Sequence, residues 1–305
     1  MSASIAMPAE GPGAGMTEAE LERLGRPIKG PSALGSDPRR LWGLTWALAK
    51  TEFKLAFFGS ALGYLWQLMR PLLLFSVLYV VFSHVGKFNT GIKFWPASLL
   101  LGIVFFSFLS AASGGAVVCL VTRENLVRKV EFPRLAVPLA TVLTALLTLI
   151  LSMVPVFVFL LAAGGSVRWS WLELPLLIAL LTCFTTGLGM LLSVLYVRYR
   201  DVRPIWEVVM QMTFYASGIF FSIVGISPVT VSGLRINFAH VLMASPFAAI
   251  LQQARHAMID PSQPSAASAI GGNAMLLIPI GIGLAVIVIG FLAFHREAPR
   301  VAEQL

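Results

Sequence analysis

The sequence predicts an all-α integral membrane protein with six transmembrane helices, an N-terminal interfacial helix and re-entrant helices before the last span. Of its 305 residues, 57% are hydrophobic and only 12% are charged, and a soluble fold of this composition would expose large apolar patches. Six apolar stretches reach the length of about 20 residues that a spanning helix needs. Lys and Arg are concentrated in alternate connecting segments, which is the pattern that orients membrane proteins.

The N-terminal segment, residues 1–40, is rich in Gly, Pro, Ala and Glu. It lacks the basic start followed by an apolar core that would indicate a signal peptide. Its low hydrophobicity predicts a disordered cytoplasmic arm.

Residues 41–58, "LWGLTWALAKTEFKLAFF", predict a helix that lies in the inner headgroup layer. Lys50 and Lys54 are one turn apart, and Trp and Lys are both favoured at this depth. One helical stripe beside the lysines consists of Trp42, Trp46, Phe53 and Phe57. A polar-edged extension of the first span is the alternative for this segment.

The transmembrane domain is predicted at 62–297, followed by a cytoplasmic tail at 298–305. Its spans are predicted at about 62–85, 96–121, 135–163, 172–196, 205–224 and 273–294. With the N-terminus inside, the inner segments hold seventeen Lys and Arg residues and the outer segments hold five. Because basic residues are retained in the cytoplasm, both termini are predicted to be cytoplasmic.

A long outer loop, 225–271, mixes apolar runs with Gly, Ser and Pro. Its middle, "FAAILQQARHAM", favours a helix but is too short to cross a bilayer. Non-helical backbone at membrane depth is tolerated only where protein or water satisfies it. The loop is therefore predicted to form a pair of short re-entrant or surface helices.

A charged run, "VTRENLVRKVEFPRLAVP" at 121–138, interrupts the apolar chain in mid-sequence. It is too polar to enter the bilayer and too short to fold alone, so we interpret it as a helix that docks on another protein. An ordinary solvated loop is the alternative. The candidate docking residues are Arg123, Glu124, Asn125, Leu126, Arg128, Lys129 and Glu131.

A second cytoplasmic turn, "VRYRDVRP" at 197–204, separates spans four and five. Its charged residues can contact a partner, or they can pair with neighbouring helix ends and fix the turn. The candidates are Arg198, Arg200, Asp201 and Arg203.

Several classes of site are disfavoured by the residues. No GxxxxGK[ST] phosphate-binding motif occurs in the sequence. The histidines, His84, His240, His256 and His295, lack the spacing of a metal site, so no metal is expected. The net charge of +8 is explained by basic loops held against an anionic leaflet, and nucleic acid is not an expected partner.

Four segments in order resemble the membrane permeases of ABC-2-type polysaccharide exporters, the group that exports O-antigen and teichoic acid. These segments are "GSALGYLWQLMRPLL", "ENLVRKVEFPRLAVPL", "YVRYRDVRPI" and "ASPFAAILQQAR". The resemblance covers nearly all of residues 41–297. It implies a permease in the bacterial cytoplasmic membrane that exports a lipid-linked polysaccharide.

The resemblance also implies partners and roles. The chain would pair with a second copy of itself and with two ATP-hydrolysing subunits, which would bind ATP and Mg while this chain binds no cofactor and catalyses nothing. The charged run 123–131 would be the coupling helix that seats in the ATPase. Residues 41–58 would be the interface helix, and 225–271 would hold the re-entrant helices near the outer exit.

A glycan path needs side chains that replace the hydration of sugar hydroxyls, since each buried hydroxyl without a partner costs several kcal/mol. Aromatic faces can stack on sugar rings. The candidate path residues are Phe105, Phe106, Phe214, Tyr215, Phe220 and Phe221, of which two or three are expected to face the path.

Two other functions compete with polysaccharide export. An ABC-2 permease for a drug or a small lipid would share the fold without a wide glycan path. An integral membrane glycosyltransferase or acyltransferase would need acidic or histidine residues clustered at one face, but the outer face offers only Glu173 and Asp260, far apart in sequence.

Overall fold

The computed structural model describes residues 38–57, 63–85, 94–124, 132–221, 229–231 and 234–298. Side chains are described in these ranges except at Phe57, Tyr64, Gln67, His84, Val85 and in two short strands. The predicted arm lies almost wholly outside the described residues, and so does the predicted tail apart from Ala298.

The regular secondary structure of the described residues is helical apart from one short hairpin, which confirms the predicted helical class. The α-helices are α1 (Pro38–Phe57), α2 (Gly63–Val80), α3 (Trp95–Thr122), α4 (Ala136–Ala162), α5 (Glu173–Arg198), α6 (Val202–Ala216), α7 (Phe238–Met243), α8 (Pro246–Met258), α9 (Ala266–Ile270) and α10 (Leu277–Glu297). A π-helical turn at Val81–Val85 follows α2, and 3₁₀ turns at Trp169–Leu172 and Asn273–Leu276 precede α5 and α10.

The hairpin was not predicted. Strand β1 (Val229–Val231) pairs antiparallel with β2 (Leu234–Ile236), with Thr230 opposite Arg235. All three residues of β1 are β-branched, which favours extended backbone, but each strand is only three residues long and gives little periodic signal.

Four of the described helical segments are long and apolar enough to cross a membrane. They are Trp95–Thr122, Ala136–Ala162, Trp169–Arg198 and Asn273–Glu297. These segments correspond to the second, third, fourth and sixth predicted spans, and they indicate a multi-pass membrane protein.

The first and fifth predicted spans are not among these four. The first is helical from Gly63 to Val85, close to its predicted bounds, but its apolar stretch is only Leu68–Ser83. In the fifth, α6 ends at Ala216 rather than near residue 224, because Gly218 turns the chain with a φ of 72°. At 1.5 Å per residue, α6 covers about 22 Å, less than a hydrocarbon core of about 30 Å. The six-span count therefore stays a prediction.

Helix α3 lies at the centre of the core and packs against α4 and α5. Small residues let these helices approach closely. A Cβ on Gly115 would lie 2.9 Å from Cγ2 of Thr141 in α4, and one on Gly189 in α5 would lie 3.1 Å from Cβ of Ala116. In lipid, where apolar burial drives association only weakly, such close contact is a main source of helix packing energy.

One end of the bundle carries the basic residues of the connecting segments. An apolar cluster there joins the ends of α3, α5 and α10 to the start of α4; its members include Leu120, Phe132, Leu135, Val194 and Phe294. Arg123, Arg134, Arg198 and Arg296 lie at or next to these helix ends. We call this the basic end.

Helix α1 packs on α4 through a face of small residues. Thr45 and Ala49 are buried in this contact. The tryptophans of the predicted aromatic stripe point away from it, with Trp42 63% and Trp46 45% exposed. Exposed Trp side chains on a membrane protein are typical of the headgroup layer, so this arrangement is compatible with the predicted interfacial position.

At the other end, where the sequence predicted a pair of short helices, the described part of the loop forms three, α7, α8 and α9. They share a small apolar cluster that includes Met243 and Ile270. Helix α8 is buried along most of its length. None of the three is long enough to cross a bilayer. Their entry into the membrane as re-entrant helices stays a prediction.

Helix α10 packs on α5 through a glycine contact. A Cβ on Gly290 would overlap the carbonyl oxygen of Gly187, and a Cβ on Gly187 would lie 2.7 Å from Cα of Ile287. The opposite face of α10 exposes Leu284, Val288 and Leu292, as expected for a helix that meets lipid.

We predict that Gly290→Ala destabilises the fold by about 1–3 kcal/mol, the usual cost of overpacking a close contact, because the two backbones must move apart. Gly281→Ala, on the same helix with open space around its Cα, is the matched control. Thermal unfolding of both variants in detergent measures the difference. Equal stability of the two variants would contradict the close helix contact.

Candidate functional site

A groove of about 930 Å³ lies among α1, α2, α3, α4 and α6. Its lining extends from Gly114 and Thr141, toward the basic end, to Phe106 and Ser152, nearer the middle of their helices. Its polar groups distinguish it from the apolar core.

One side of the groove is rich in hydroxyl groups. The lining Ser and Thr residues are Ser107, Ser110, Thr141, Thr144, Thr148 and Ser152. Ser107 donates to the Ile103 carbonyl at 2.8 Å, and Thr148 donates to the Thr144 carbonyl at 3.1 Å. Because these hydrogens are used within the helix, the oxygen lone pairs remain as acceptors for a ligand that carries hydroxyl donors.

The other side is an aromatic wall formed by Phe106, Phe214 and Tyr215. The Phe106 and Phe214 ring centroids are 4.7 Å apart, and those of Phe214 and Tyr215 are 5.5 Å apart. Tyr215 is 60% exposed, so its ring is available to a ligand. Nearby, the Trp206 indole donates to Ser113 Oγ at 3.0 Å, which fixes this ring beside the groove.

The six predicted path residues divide by position. Phe106, Phe214 and Tyr215 line the groove. Phe105 and Phe220 are buried in the hydrophobic core. Phe221 is 36% exposed but is not part of the lining.

Sequence reasoning missed the hydroxyl face. The residues Thr141, Thr144 and Thr148 follow one another at intervals of three and four, and this spacing places them on one face of a helix. That spacing was the signal available in the sequence. It was hidden because each hydroxyl residue stands alone inside an apolar run.

An ion pair joins the groove to the start of the predicted docking run. The Arg123 guanidinium contacts the Glu52 carboxylate, and their side chains are 21% and 27% exposed. The Thr144 hydroxyl lies 3.2 Å from Oε2 of the same carboxylate. Partial burial lowers the pKa of Arg123, and this loss of solvent strengthens its attraction to Glu52.

Of the predicted docking residues, only Arg123 and Glu124 are described. The others, Asn125, Leu126, Arg128, Lys129 and Glu131, lie outside the described residues. Beyond them, Arg134 is buried and donates to the carbonyl of Ala298 at the end of α10. Both ends of the charged run are therefore attached to the helical body.

The second predicted contact is exposed at the basic end and has contacts within the chain. The Arg198 guanidinium lies 5.4 Å from the Tyr199 ring, and Arg200 lies 5.1 Å from the Tyr196 ring. Arg203 and Glu207 form an exposed pair at 3.1 Å. Asp201 is exposed immediately before α6. Some of these residues therefore help to fix the turn, and their exposure leaves them accessible to a partner.

Within the ranges that the structure covers, no group of three or more His, Cys, Asp or Glu side chains is placed to hold a metal ion. Glu173 and Asp260, the outer acidic residues, have local partners. Gln253 donates to Glu173 at 2.8 Å, and Asp260 accepts from the Ser262 amide at 3.0 Å.

Sequence comparison shows that the chain is similar to transport proteins. The sequence model of the family described as ABC-2 type transporter matches residues 43–259. The O-antigen export system permease protein RfbA of Myxococcus xanthus is 28% identical over 179 residues, which cover 59% of this chain and 68% of that protein. Two Klebsiella pneumoniae proteins of the same name are 24% and 23% identical over 184 residues, with 60% of this chain and 70% of each relative covered.

We predict that the Glu52–Arg123 pair stabilises the fold by about 1 kcal/mol in a double-mutant cycle with Ala, because the pair is partly buried. The Arg203–Glu207 pair, with side chains 60% and 67% exposed, is the matched control and should contribute close to zero. Equilibrium unfolding in mixed detergent micelles gives both coupling energies. Equal coupling in the two pairs would contradict a special role for Glu52–Arg123.

Proposed function

Because the chain belongs to the ABC-2 type transporter family, we propose that it is the membrane permease of an ATP-driven exporter whose substrate is a lipid-linked polysaccharide. The named O-antigen permeases support a polysaccharide as substrate. The alternative of a drug or small lipid shares the family but does not require a hydroxyl-rich path.

The observation that carries the proposal is the composition of the groove. Hydroxyl oxygens on one side accept hydrogen bonds from sugar hydroxyls, and the aromatic wall on the other side provides faces for sugar rings. Together they replace the water that a glycan loses on entering the membrane. A groove for an apolar drug would need few of these acceptors.

Arg70 provides the groove with a positive charge. It is exposed in the lining, and no ion-pair or hydrogen-bond partner for it is found among the described residues. The two lining carboxylates, Glu52 and Glu207, each have an arginine partner. A phosphate that joins a lipid to its glycan is an anion that Arg70 can bind.

ATP hydrolysis is assigned to two separate subunits that bind ATP and Mg, since this chain carries no phosphate-binding motif. The run 123–131 docks on them as a coupling helix, and Arg198, Arg200, Asp201 and Arg203 form a second contact. The Glu52–Arg123 pair then connects the docking run to the groove and to α1.

A second copy of the chain is proposed to close the open side of the groove. Helices α2 and α6 border that side and expose apolar side chains, such as Val77 at 61% and Met212 at 66%. A homodimer would bring two such surfaces together. Lipid contact alone is the competing explanation, and cross-linking across α6 distinguishes them.

The permease is placed in the bacterial cytoplasmic membrane with both termini inside. The location of Arg123, Arg134, Arg198 and Arg296 at one end supports this orientation, because basic residues are retained in the cytoplasm. The interfacial position of α1 and the re-entrant helices near the exit are part of the same proposal.

We predict that Phe106→Ala and Tyr215→Ala each reduce glycan export about twofold to tenfold at normal membrane abundance, since an aromatic contact contributes about 0.5–1.5 kcal/mol. Phe221→Ala, which removes an aromatic outside the groove lining, is the control and should export normally. Cell-surface glycan is quantified against permease abundance. Full export by both groove variants would contradict the proposal that these aromatic rings line the substrate path.

We predict that reversing Arg128 and Lys129 together to Glu weakens the complex with the ATPase, because each reversed interfacial charge costs about 0.5–3 kcal/mol. Arg123 and Arg134 remain to hold the loop inside, so insertion should be normal. Co-purification of the ATPase and export are the measurements. Equal recovery and equal export would identify the run as a topological anchor only.

A further inference from the structure

Among the described residues, Arg255 is the largest side chain that is almost fully buried, with 2% exposure. It lies in α8, which the sequence places in an outer loop, where a basic residue is expected to reach solvent. Burial lowers the pKa of Arg255 to about 10, so the guanidinium remains charged at neutral pH. A buried charge of this kind persists only where hydrogen bonds compensate for its lost hydration.

Two of the three guanidinium nitrogens bond to the backbone that follows α6, whereas Nε has no hydrogen-bond partner among the described residues. Nη1 donates to the Gly218 carbonyl and Nη2 donates to the Ile219 carbonyl, each at 2.8 Å. These carbonyls come directly after the C-terminal end of α6, where the helix dipole favours a cation. The two hydrogen bonds fix the turn at Gly218 against α8.

This turn leads directly into the aromatic wall. Phe220 is the next residue, and its ring lies 5.0 Å from that of Phe214 and 5.9 Å from that of Tyr215. Helix α8 also reaches the wall from a second point, because the Phe247 ring lies 6.1 Å from Phe106 in an edge contact. A displacement of the turn would therefore move the groove aromatics.

Helix α8 is itself held firmly. Ser170 donates to the Ala257 carbonyl at 2.7 Å, and the Trp171 indole donates to the Met258 carbonyl at 3.2 Å. On its other side, Gln252 donates to the Pro264 carbonyl at 2.8 Å. A fixed helix with a bidentate arginine is suited to hold neighbouring side chains in one geometry.

We propose that Arg255 is a positioning residue that holds the aromatic wall of the groove in the geometry that receives substrate. The inference that Arg255 positions the wall rests on the contacts above. The inference that it affects substrate binding rests on the proposed function. Arg255 touches no substrate itself. It acts through the Gly218–Ile219 turn and Phe220.

The first test follows the turn itself and does not depend on transport. Cys119 and Cys183 are replaced by Ala, and Ile219, which is 1% exposed, is changed to Cys as a reporter. With Arg255→Met, maleimide labelling of residue 219 in membranes should rise about tenfold or more, since two hydrogen bonds to a charged group are lost. Unchanged labelling would overturn the proposal.

Gln252→Leu is the matched control, because it removes another buried polar side chain, 1% exposed, from the same helix. This change leaves the Pro264 carbonyl without its Gln252 donor. Pro264 is not among the residues that contact the aromatic wall above, so labelling of residue 219 should stay near the wild-type rate. An equal rise in both variants would mean that Arg255 has only a general structural role.

A milder variant addresses the risk that Arg255→Met fails to fold. Arg255→Lys keeps the charge but lacks the planar fork that reaches the Gly218 and Ile219 carbonyls from two nitrogens. It should raise the labelling rate in the same direction, by less. No rise in a folded Arg255→Lys protein would count against the proposal.

The second test uses the permease purified with its ATPase and a polyprenyl-diphosphate-linked trisaccharide as the probe. Arg255→Met should raise the half-maximal probe concentration for ATPase stimulation severalfold, with the basal rate unchanged, and Arg255→Lys should restore part of the loss. Wild-type protein that is not stimulated would refute the proposed function. Stimulated wild type with an identical half-maximal concentration in Arg255→Met would refute the role of Arg255.

Discussion

The close packing of α3 against α4 and α5 is the contact on which the rest of the structure depends. Lipid competes with apolar side chains for each helix surface, so helices associate through small residues that let backbones approach. Gly115 and Ala116 provide this on α3, and Gly189 provides it on α5. With one face of α3 used in this way, another face remains to form the groove with α1, α2 and α6.

A second constraint is that polar groups in an apolar body need partners. The fold meets it in two ways. Groove hydroxyls such as Thr148 donate to carbonyls of their own helix, which satisfies the hydrogen and keeps an acceptor for a ligand. Where α6 ends, its following carbonyls have no next turn of helix to bond, and Arg255 supplies the donors. The need for hydrogen-bond partners thus explains both the acceptors that line the groove and the contact that fixes its aromatic wall.

The long apolar helices and the division of basic residues were predictable, because length and charge are properties of a continuous segment. The end of α6 was not predictable, since the apolar run continues through Phe220 and Phe221 although the backbone turns at Gly218. Arg255 was counted as an outer basic residue because burial depends on partners distant in sequence. For the same reason, the sequence could not separate buried Phe105 from its groove-lining neighbour Phe106.

The two ends of the groove have different kinds of attachment. At the basic end, Glu52 lies in the lining and pairs with Arg123 at the start of the charged run, and both side chains keep some solvent contact. A coupling of about 1 kcal/mol is small enough for a docking protein to replace. At the far end, Arg255 is fully buried and bonded to backbone, and removing either partner leaves an unpaired polar group in the core. The groove therefore joins a replaceable contact, where a docking protein would act, to a fixed one that preserves the shape of the aromatic wall.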